Sequence, residues 1–198
     1  MTHIILASGS DIRAKLLRQA GVEFDVVKPR VDEDAIRDAL LANTAKPRDI
    51  ADALAEAKAL RVSAKHPGQL VLGCDQVLDF EGRILSKPET PEQALDQLRD
   101  FRGKRHMLLS AAVIYEGAQP VWRHVGQVRL HVREASDAWL ADYVARNWSS
   151  IRHAVGAYKL EEEGVRLFTR VEGDYFNVLG MPLLEILSYL TLRGTLPK

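Results

Sequence analysis

Ile4-Ile5-Leu6-Ala7-Ser8-Gly9-Ser10-Asp11-Ile12-Arg13 decides how the chain reads. His3–Ala7 is a short apolar run, expected as a buried strand. Ser8-Gly9-Ser10 follows as a turn, and Ile12, Leu16, Leu17 and Ala20 then recur at helical spacing. Ser10 stands where an N-cap belongs, its hydroxyl expected to accept from a first-turn N–H, and Gly21 ends the helix. A strand running through a small, hydroxyl-rich turn into a helix presents free backbone N–H groups and the positive end of a helix dipole, which suits phosphate. Arg13, one turn in, adds a forked donor. The same pattern also describes an ordinary capped helix after an edge strand. The chain has neither G-x-x-x-x-G-K-[ST] nor G-x-G-x-x-G, so a P-loop or a dinucleotide fold is unsupported.

Outward from this stretch, Phe24, Val26 and Val27 suggest a second strand. Residues 34–65 read as helix in two pieces broken at Lys46-Pro47, the second being the Ala-rich Asp49–Lys65. Leu70–Leu78 is an apolar strand interrupted by Gly73, Asp75 and Gln76, and Glu81-Gly82 turns it into Arg83–Ser86. Thr90-Pro91-Glu92-Gln93 is a capping box with Pro at the first helical position, opening a helix that closes at Gly103. Two long strands, His106–Tyr115 and Val121–Arg133, flank Gly117. Ser136 caps a helix through Arg146, Gly156 begins an irregular loop, Val165–Val171 alternates as a strand does, and Pro182–Leu192 is a terminal helix. No linker or repeat interrupts residues 1–198, so one α/β domain with a mixed sheet is expected.

Composition narrows the function. The 198 residues carry 27 Lys+Arg against 27 Asp+Glu, a net charge of zero, and 46% are hydrophobic. A chain relying on non-specific nucleic-acid binding would carry a basic excess, and a disordered one would lack the apolar residues. No apolar run approaches the ~20 residues of a membrane span, and Met1-Thr2-His3-Ile4 lacks the marks of a signal peptide. The single Cys74 points to a reducing, cytoplasmic setting.

Asp75, a carboxylate inside an apolar strand, is costly unless it is paired, bound to metal or at a strand end. It therefore reads either as a site residue or as a surface Asp at a bulge beside Gly73. Cys74, on the opposite face, reads as a small buried side chain. Asp32-Glu33-Asp34 fits a hard divalent cation or a solvated acidic helix start. Lys58 and Lys87 each read as snorkelling surface residues when taken alone. The six histidines have no zinc-like spacing.

Taken together, these segments resemble the Maf family of nucleoside triphosphate pyrophosphatases, in order and over essentially the whole chain. Leu6-Ala7-Ser8-Gly9-Ser10-Asp11-Ile12-Arg13 stands for the family's L-A-S-x-S-P-R-R, and Asp32-Glu33 for its D-E. Ala55-Glu56-Ala57-Lys58-Ala59 matches A-x-x-K-A, Asp75-Gln76-Val77 matches D-[TQ]-V, and Ser86-Lys87-Pro88 matches G-K-P. Arg102-Gly103-Lys104-Arg105-His106 stands for S-G-x-x-H, and Gly156-Ala157-Tyr158 for G-x-[YF]. Gly173-Asp174-Tyr175-Phe176-Asn177-Val178-Leu179-Gly180-Met181-Pro182 matches G-D-Y-x-N-V-x-G-[LM]-P.

The resemblance implies an extended mixed sheet flanked by helices, forming two lobes with a cleft, as in inosine triphosphatases. It implies hydrolysis of a nucleoside triphosphate to a monophosphate and pyrophosphate with Mg²⁺ or Mn²⁺. Carried over, Asp75 is the proton acceptor and Glu33 the metal ligand, while Ser8, Ser10, Arg13, Lys58 and Lys87 hold phosphate. A homodimer is expected from the family only. Two departures stand out: Asp11-Ile12 replaces Pro-Arg, and Ser86 replaces the Gly before Lys87. Gln76 and Glu161 resemble the branch acting on 7-methyl-GTP, in which a carboxylate can accept from guanine N1–H and N2–H₂. That branch carries an aromatic residue where Ile12 stands, and Glu161-Glu162-Glu163 could equally be a solvated acidic turn. The family's association with septum-formation arrest, with the Asp11-Ile12 departure, offers an alternative: a nucleotide-binding cell-division regulator with little turnover.

Overall fold

The computed structural model describes residues 3–197. In chain order the elements are β1 (Ile4–Ala7), α1 (Asp11–Gln19), β2 (Phe24–Val26), α2 (Glu33–Ala42), α3 (Pro47–Ser63), β3 (Leu70–Phe80) and β4 (Arg83–Leu85). There follow α4 (Pro91–Phe101), β5 (Arg105–Glu116), β6 (Gln119–Val132), α5 (Asp137–Ile151), a 3-10 turn over Glu163–Leu167, β7 (Phe168–Glu172), α6 (Tyr175–Val178) and α7 (Leu183–Leu192). The seven strands form one sheet in the order β2-β1-β3-β5-β6-β7, with β4 on β3. β1 runs parallel to β2 and β3, whereas β3–β4 and β6–β7 are antiparallel. The fold is the α/β class with a mixed sheet and flanking helices that the element pattern predicts. No helix among the described residues is long and apolar enough to cross a membrane.

Chain contacts divide the structure into two compact units. One comprises the residues up to Gln76, Leu109–Gly126 and those from Tyr175 onward. The other comprises Val77–Leu108 and Gln127–Asp174.

In the first unit, side chains alternate across the sheet. Ile4 and Leu6 of β1, Leu70, Leu72 and Cys74 of β3, and Ala112 and Ile114 of β5 share one core with Leu16 and Leu17 of α1 and Leu183, Ile186 and Leu190 of α7. Each such large side chain contributes roughly 1.5–3 kcal/mol by leaving water. The opposite phase of β3 carries Val71, Gly73 and Asp75, facing α3. A Cβ on Gly73 would run into the carbonyl oxygen of Ala55 and lie 2.7 Å from the Ala59 nitrogen. Two alanines and a glycine thus bring the α3 backbone directly onto β3. That close approach carries Lys58, on the same stretch of α3, over Asp75.

The second unit is organised around aromatic rings. Phe80 and Phe101 meet edge to face, and His106 stacks on Phe101 with centroids 4.5 Å apart and tilts against Tyr158 and Phe168.

Several local expectations are corrected. Ser10 occupies the N-cap of α1, but its side chain makes no capping bond; separately, the Ser8 hydroxyl accepts from the Ser10 N–H at 3.2 Å. α3 begins at Pro47, because a proline costs nothing in a first turn, where its missing N–H has no partner. α5 runs on to Ile151, with the Asn147 carboxamide donating to the Tyr143 carbonyl at 2.9 Å. The alternation of Val165–Val171 covers two elements: a 3-10 turn ends at Leu167 and β7 starts at Phe168. α6, a single turn, is too short to leave a periodic trace in the sequence.

Candidate active site

The C-terminal end of β1 opens into the Ser8–Arg13 turn. Ala7 pairs with Gly73 on β3, which sets Ser8 beside Cys74. Arg13 folds back across this junction. Its Nη1 donates to the Cys74 carbonyl at 3.0 Å and to the Ser8 hydroxyl at 3.3 Å, and its Nε donates to the Gly180 carbonyl at 2.8 Å. The Nη2 group has no acceptor among the described residues, and neither does the Ser10 hydroxyl. The first turn of α1 adds its own unpaired N–H groups, since the first bond of the helix runs from Ala14 to the Ser10 carbonyl.

Asp75 lies one residue beyond, on the α3 face. Lys58 Nζ donates to Asp75 Oδ1 at 2.6 Å and contacts Glu33 Oε1 at 3.0 Å. The Lys58 and Asp75 side chains are each 8% exposed, whereas that of Glu33 is 49% exposed. The surface readings of Asp75 and Lys58 therefore fail, because the close approach at Gly73 buries both. Burial pushes the Asp75 carboxyl above the usual carboxylate range; Lys58 and Arg13 pull it back down, and Glu33 adds to the rise. Asp75 Oδ2 and Glu33 Oε2 have no protein partner among the described residues. The acidic triplet divides its work: Asp32 caps α2 by accepting from Ala35 N–H, Asp34 pairs with Arg37, and Glu33 alone turns to Lys58.

Cys74 is fully buried on the opposite face, and desolvation raises its thiol to about 11, so it is an inert packing residue. Gln76 donates its amide to the Ser110 hydroxyl at 3.0 Å and to the carbonyls of Asn177 and Val178 at 2.9 and 3.1 Å. Ile12 packs against the apolar core of the first unit. The structure thus brings Ser8, Ser10, Arg13, Glu33, Lys58, Asp75 and Gln76 together on one unit.

Lys87 and Glu161 belong to the other unit. Lys87 is exposed in the loop after β4. Within the acidic run, Glu162 accepts from Ser150 and Lys159, and Glu163 from Arg146, Asn147 and Arg166. Glu161 is exposed, and its carboxylate has no hydrogen-bond or ion-pair partner among the described residues. Sequence reasoning missed Ser110 and the carbonyls of Asn177, Val178 and Gly180. A serine in an apolar strand was the one signal for Ser110, and backbone carbonyls leave none.

A hydroxyl-rich strand–turn–helix cradle stands beside a buried carboxylate held by a lysine. Such a site suits an anionic substrate and the removal of a proton next to it. The family model described as Maf-like protein matches residues 3–192, and the chain belongs to that family. It is 71% identical over 197 residues to a nucleoside triphosphate pyrophosphatase of Ruegeria sp. (strain TM1040), covering 100% of this chain and 99% of that one. It is 68% identical over 193 residues to a nucleoside triphosphate pyrophosphatase of Ruegeria pomeroyi (strain ATCC 700808 / DSM 15171 / DSS-3), covering 98% and 97%. Among solved structures, a HAM1 protein from Coxiella burnetii matches with a TM-score of 0.42 and 14% identity, over 68% of this chain and 75% of that one.

Proposed function

We propose that the chain is a nucleoside triphosphate pyrophosphatase, acting as one Maf domain and releasing a nucleoside monophosphate and pyrophosphate. The observation that carries this reading is Asp75, buried on β3 with one oxygen held by Lys58 and the other without a partner among the described residues. A carboxylate with a raised pKa is better poised to take a proton than a surface one. Water attacks the α-phosphorus, the bond from that phosphorus to the bridging oxygen breaks, and pyrophosphate leaves. The water's proton goes to Asp75 Oδ2. Arg13 Nη2, the third N–H of Lys58, the Ser8 and Ser10 turn and the α1 N-terminus stabilise the phosphate charge, and Lys87 is a further cation assigned to phosphate.

The donor set also fits a hard divalent cation. Glu33 offers a half-exposed carboxylate oxygen, and no group of three or more metal-binding side chains occurs among the described residues. One or two carboxylates completed by substrate phosphates are the usual surroundings of Mg²⁺. Bound there, Mg²⁺ or Mn²⁺ would polarise phosphate oxygens. Glu161 is the residue we assign to guanine, favouring a 7-methyl-GTP-like substrate; Ile12 offers no ring to stack on the base. The lone buried cysteine agrees with a cytoplasmic setting.

The test is pyrophosphate release from a panel of 7-methyl-GTP, GTP, UTP and dTTP with Mg²⁺ or Mn²⁺. Turnover by the wild type and its loss in Asp75→Asn are expected. Equal release from both would remove Asp75 from the chemistry. Tight nucleotide binding without turnover would favour the regulator reading.

A further inference from the structure

Asp75 and Gln76 are neighbours on β3, so they point to opposite faces of the sheet. Asp75 meets α3, whereas Gln76 points toward the side that carries α1 and α7. There its amide nitrogen is surrounded by three oxygens: Ser110 Oγ at 3.0 Å, the Asn177 carbonyl at 2.9 Å and the Val178 carbonyl at 3.1 Å. Ser110, fully buried on β5, donates its hydroxyl to the same Asn177 carbonyl at 2.7 Å. An NH₂ group with two hydrogens and a hydroxyl with one therefore converge on the end of α6. Nearby, Gly126 leaves room for the Asn177 carboxamide, into which a Cβ would collide. Three residues beyond Asn177, the Gly180 carbonyl accepts from Arg13 Nε, and Gly180 sits at φ +95 with the Arg13 guanidinium packed against it. The segment 177–180 is thus pinned by Gln76 and Ser110 at one end and holds Arg13 at the other.

We propose that Ser110 and Gln76 are positioning residues for Arg13. Clamping the Asn177 and Val178 carbonyls fixes the Gly180 carbonyl, which anchors Arg13 Nε and leaves Nη2 as the guanidinium nitrogen available to a phosphate oxygen. Gln76 then shapes substrate handling through the backbone, with its amide nitrogen already committed to protein acceptors. A planar guanidinium benefits from such anchoring, because a fixed fork loses less freedom on binding an anion. This inference rests on the phosphate-binding role of Arg13 proposed above.

A double-mutant cycle tests it, read by calorimetric binding of inorganic tripolyphosphate with Mg²⁺ and separately by KM for a hydrolysed nucleotide. Ser110→Ala and Gln76→Met are each expected to weaken tripolyphosphate binding by about fivefold to tenfold, the scale of one lost hydrogen bond. Ser110→Thr, which keeps the hydroxyl, is expected to restore it. In an Arg13→Ala background neither substitution should weaken binding further, and KM should follow the same pattern. Additive losses in that background would overturn the proposal, since a general loss of packing does not need Arg13. Unchanged binding in both single variants would also overturn it. A wild type that binds tripolyphosphate but releases no pyrophosphate from any nucleotide refutes the hydrolase reading alone, and the binding cycle still decides the clamp.

Discussion

Lys58 and Asp75 form a buried ion pair, Nζ to Oδ1 at 2.6 Å, between a helix and a strand that meet across a glycine. Burial alone would hold the Asp75 carboxyl protonated to well above the usual range, and Lys58 is the larger of the two cationic influences opposing it, ahead of Arg13. A proton acceptor works only when ionised. The acidic limb of kcat/KM is therefore expected above the ordinary carboxylate range, with activity falling as pH drops through the raised pKa. Lys58→Met removes the main stabiliser of the anion and should move that limb to higher pH. Arg13→Met should move it the same way by less. Glu33→Gln should move it down, because Glu33 raises the Asp75 pKa. A pH–rate profile of the four proteins checks the signs, and an acid limb unmoved by Lys58→Met would show that another group is titrating.

Gly73 is where packing and chemistry meet. Gly73→Ala would drive a methyl group into the α3 backbone, which has no rotamer with which to yield. Overpacking of this kind costs roughly 3 kcal/mol. Denaturant unfolding should show that loss, and the surviving folded protein should have an acid limb displaced upward as α3 and Lys58 move off Asp75. Unchanged stability would mean that α3 does not rest on β3 as described.

Much of this site was legible in the chain, for reasons particular to each residue. Asp75 was visible because a charge in an apolar run is costly, and the Ser8–Arg13 turn because strand, turn and helix follow at the right spacing. The Ala55–Ala59 spacing and Gly73 carried the helix–strand contact, but 14 residues separate Ala59 from Gly73, and neither names the other. Whether Lys58 was a surface or a buried residue depended on that contact, so the local pattern could not decide it. Ser10 misled because a capping residue and a non-capping hydroxyl look alike in sequence; only the fold shows that Ser10 makes no capping bond and leaves the first-turn N–H groups of α1 open. The clamp on Asn177 and Val178 was invisible, since its acceptors are carbonyls that every residue owns.

Glu161 tests the base preference. Its carboxylate is open, whereas Glu162 and Glu163 are tied to Ser150, Lys159, Arg146, Asn147 and Arg166. Glu161→Gln exchanges an acceptor-only group for an amide that can both donate and accept, which suits the one N–H between two carbonyls of uracil or thymine. The ratio of kcat/KM for 7-methyl-GTP over UTP should fall by about tenfold or more in Glu161→Gln, roughly the worth of one charge-assisted bond. Glu162→Gln should lower it far less. If the two variants change the ratio equally, Glu161 has no special part in reading the base.

His106 and Tyr158 bring two motifs 52 residues apart into one buried bond, Nε2 to Oη at 2.7 Å, in the aromatic core of the second unit. His106 Nδ1 is buried without a hydrogen-bond partner among the described residues, and desolvation lowers the imidazole to about 3. Its folded pKa lies below the unfolded value of 6.5, so between pH 6.5 and 3 the unfolded chain binds the extra proton. Stability is therefore lost as pH falls through that window, by up to roughly 5 kcal/mol at its lower end. Replacing one partner leaves the other polar group buried alone, so His106→Phe and Tyr158→Phe should each destabilise at neutral pH by about 1–3 kcal/mol. The double variant removes both groups and the orphaned nitrogen while keeping the rings. It should unfold within about 1 kcal/mol of the wild type at pH 7 and lose less stability than the wild type on acidification to pH 4. Urea unfolding of the four proteins at both pH values measures this. Additive destabilisation in the double variant would mean that ring packing, and not the buried bond, sets the cost.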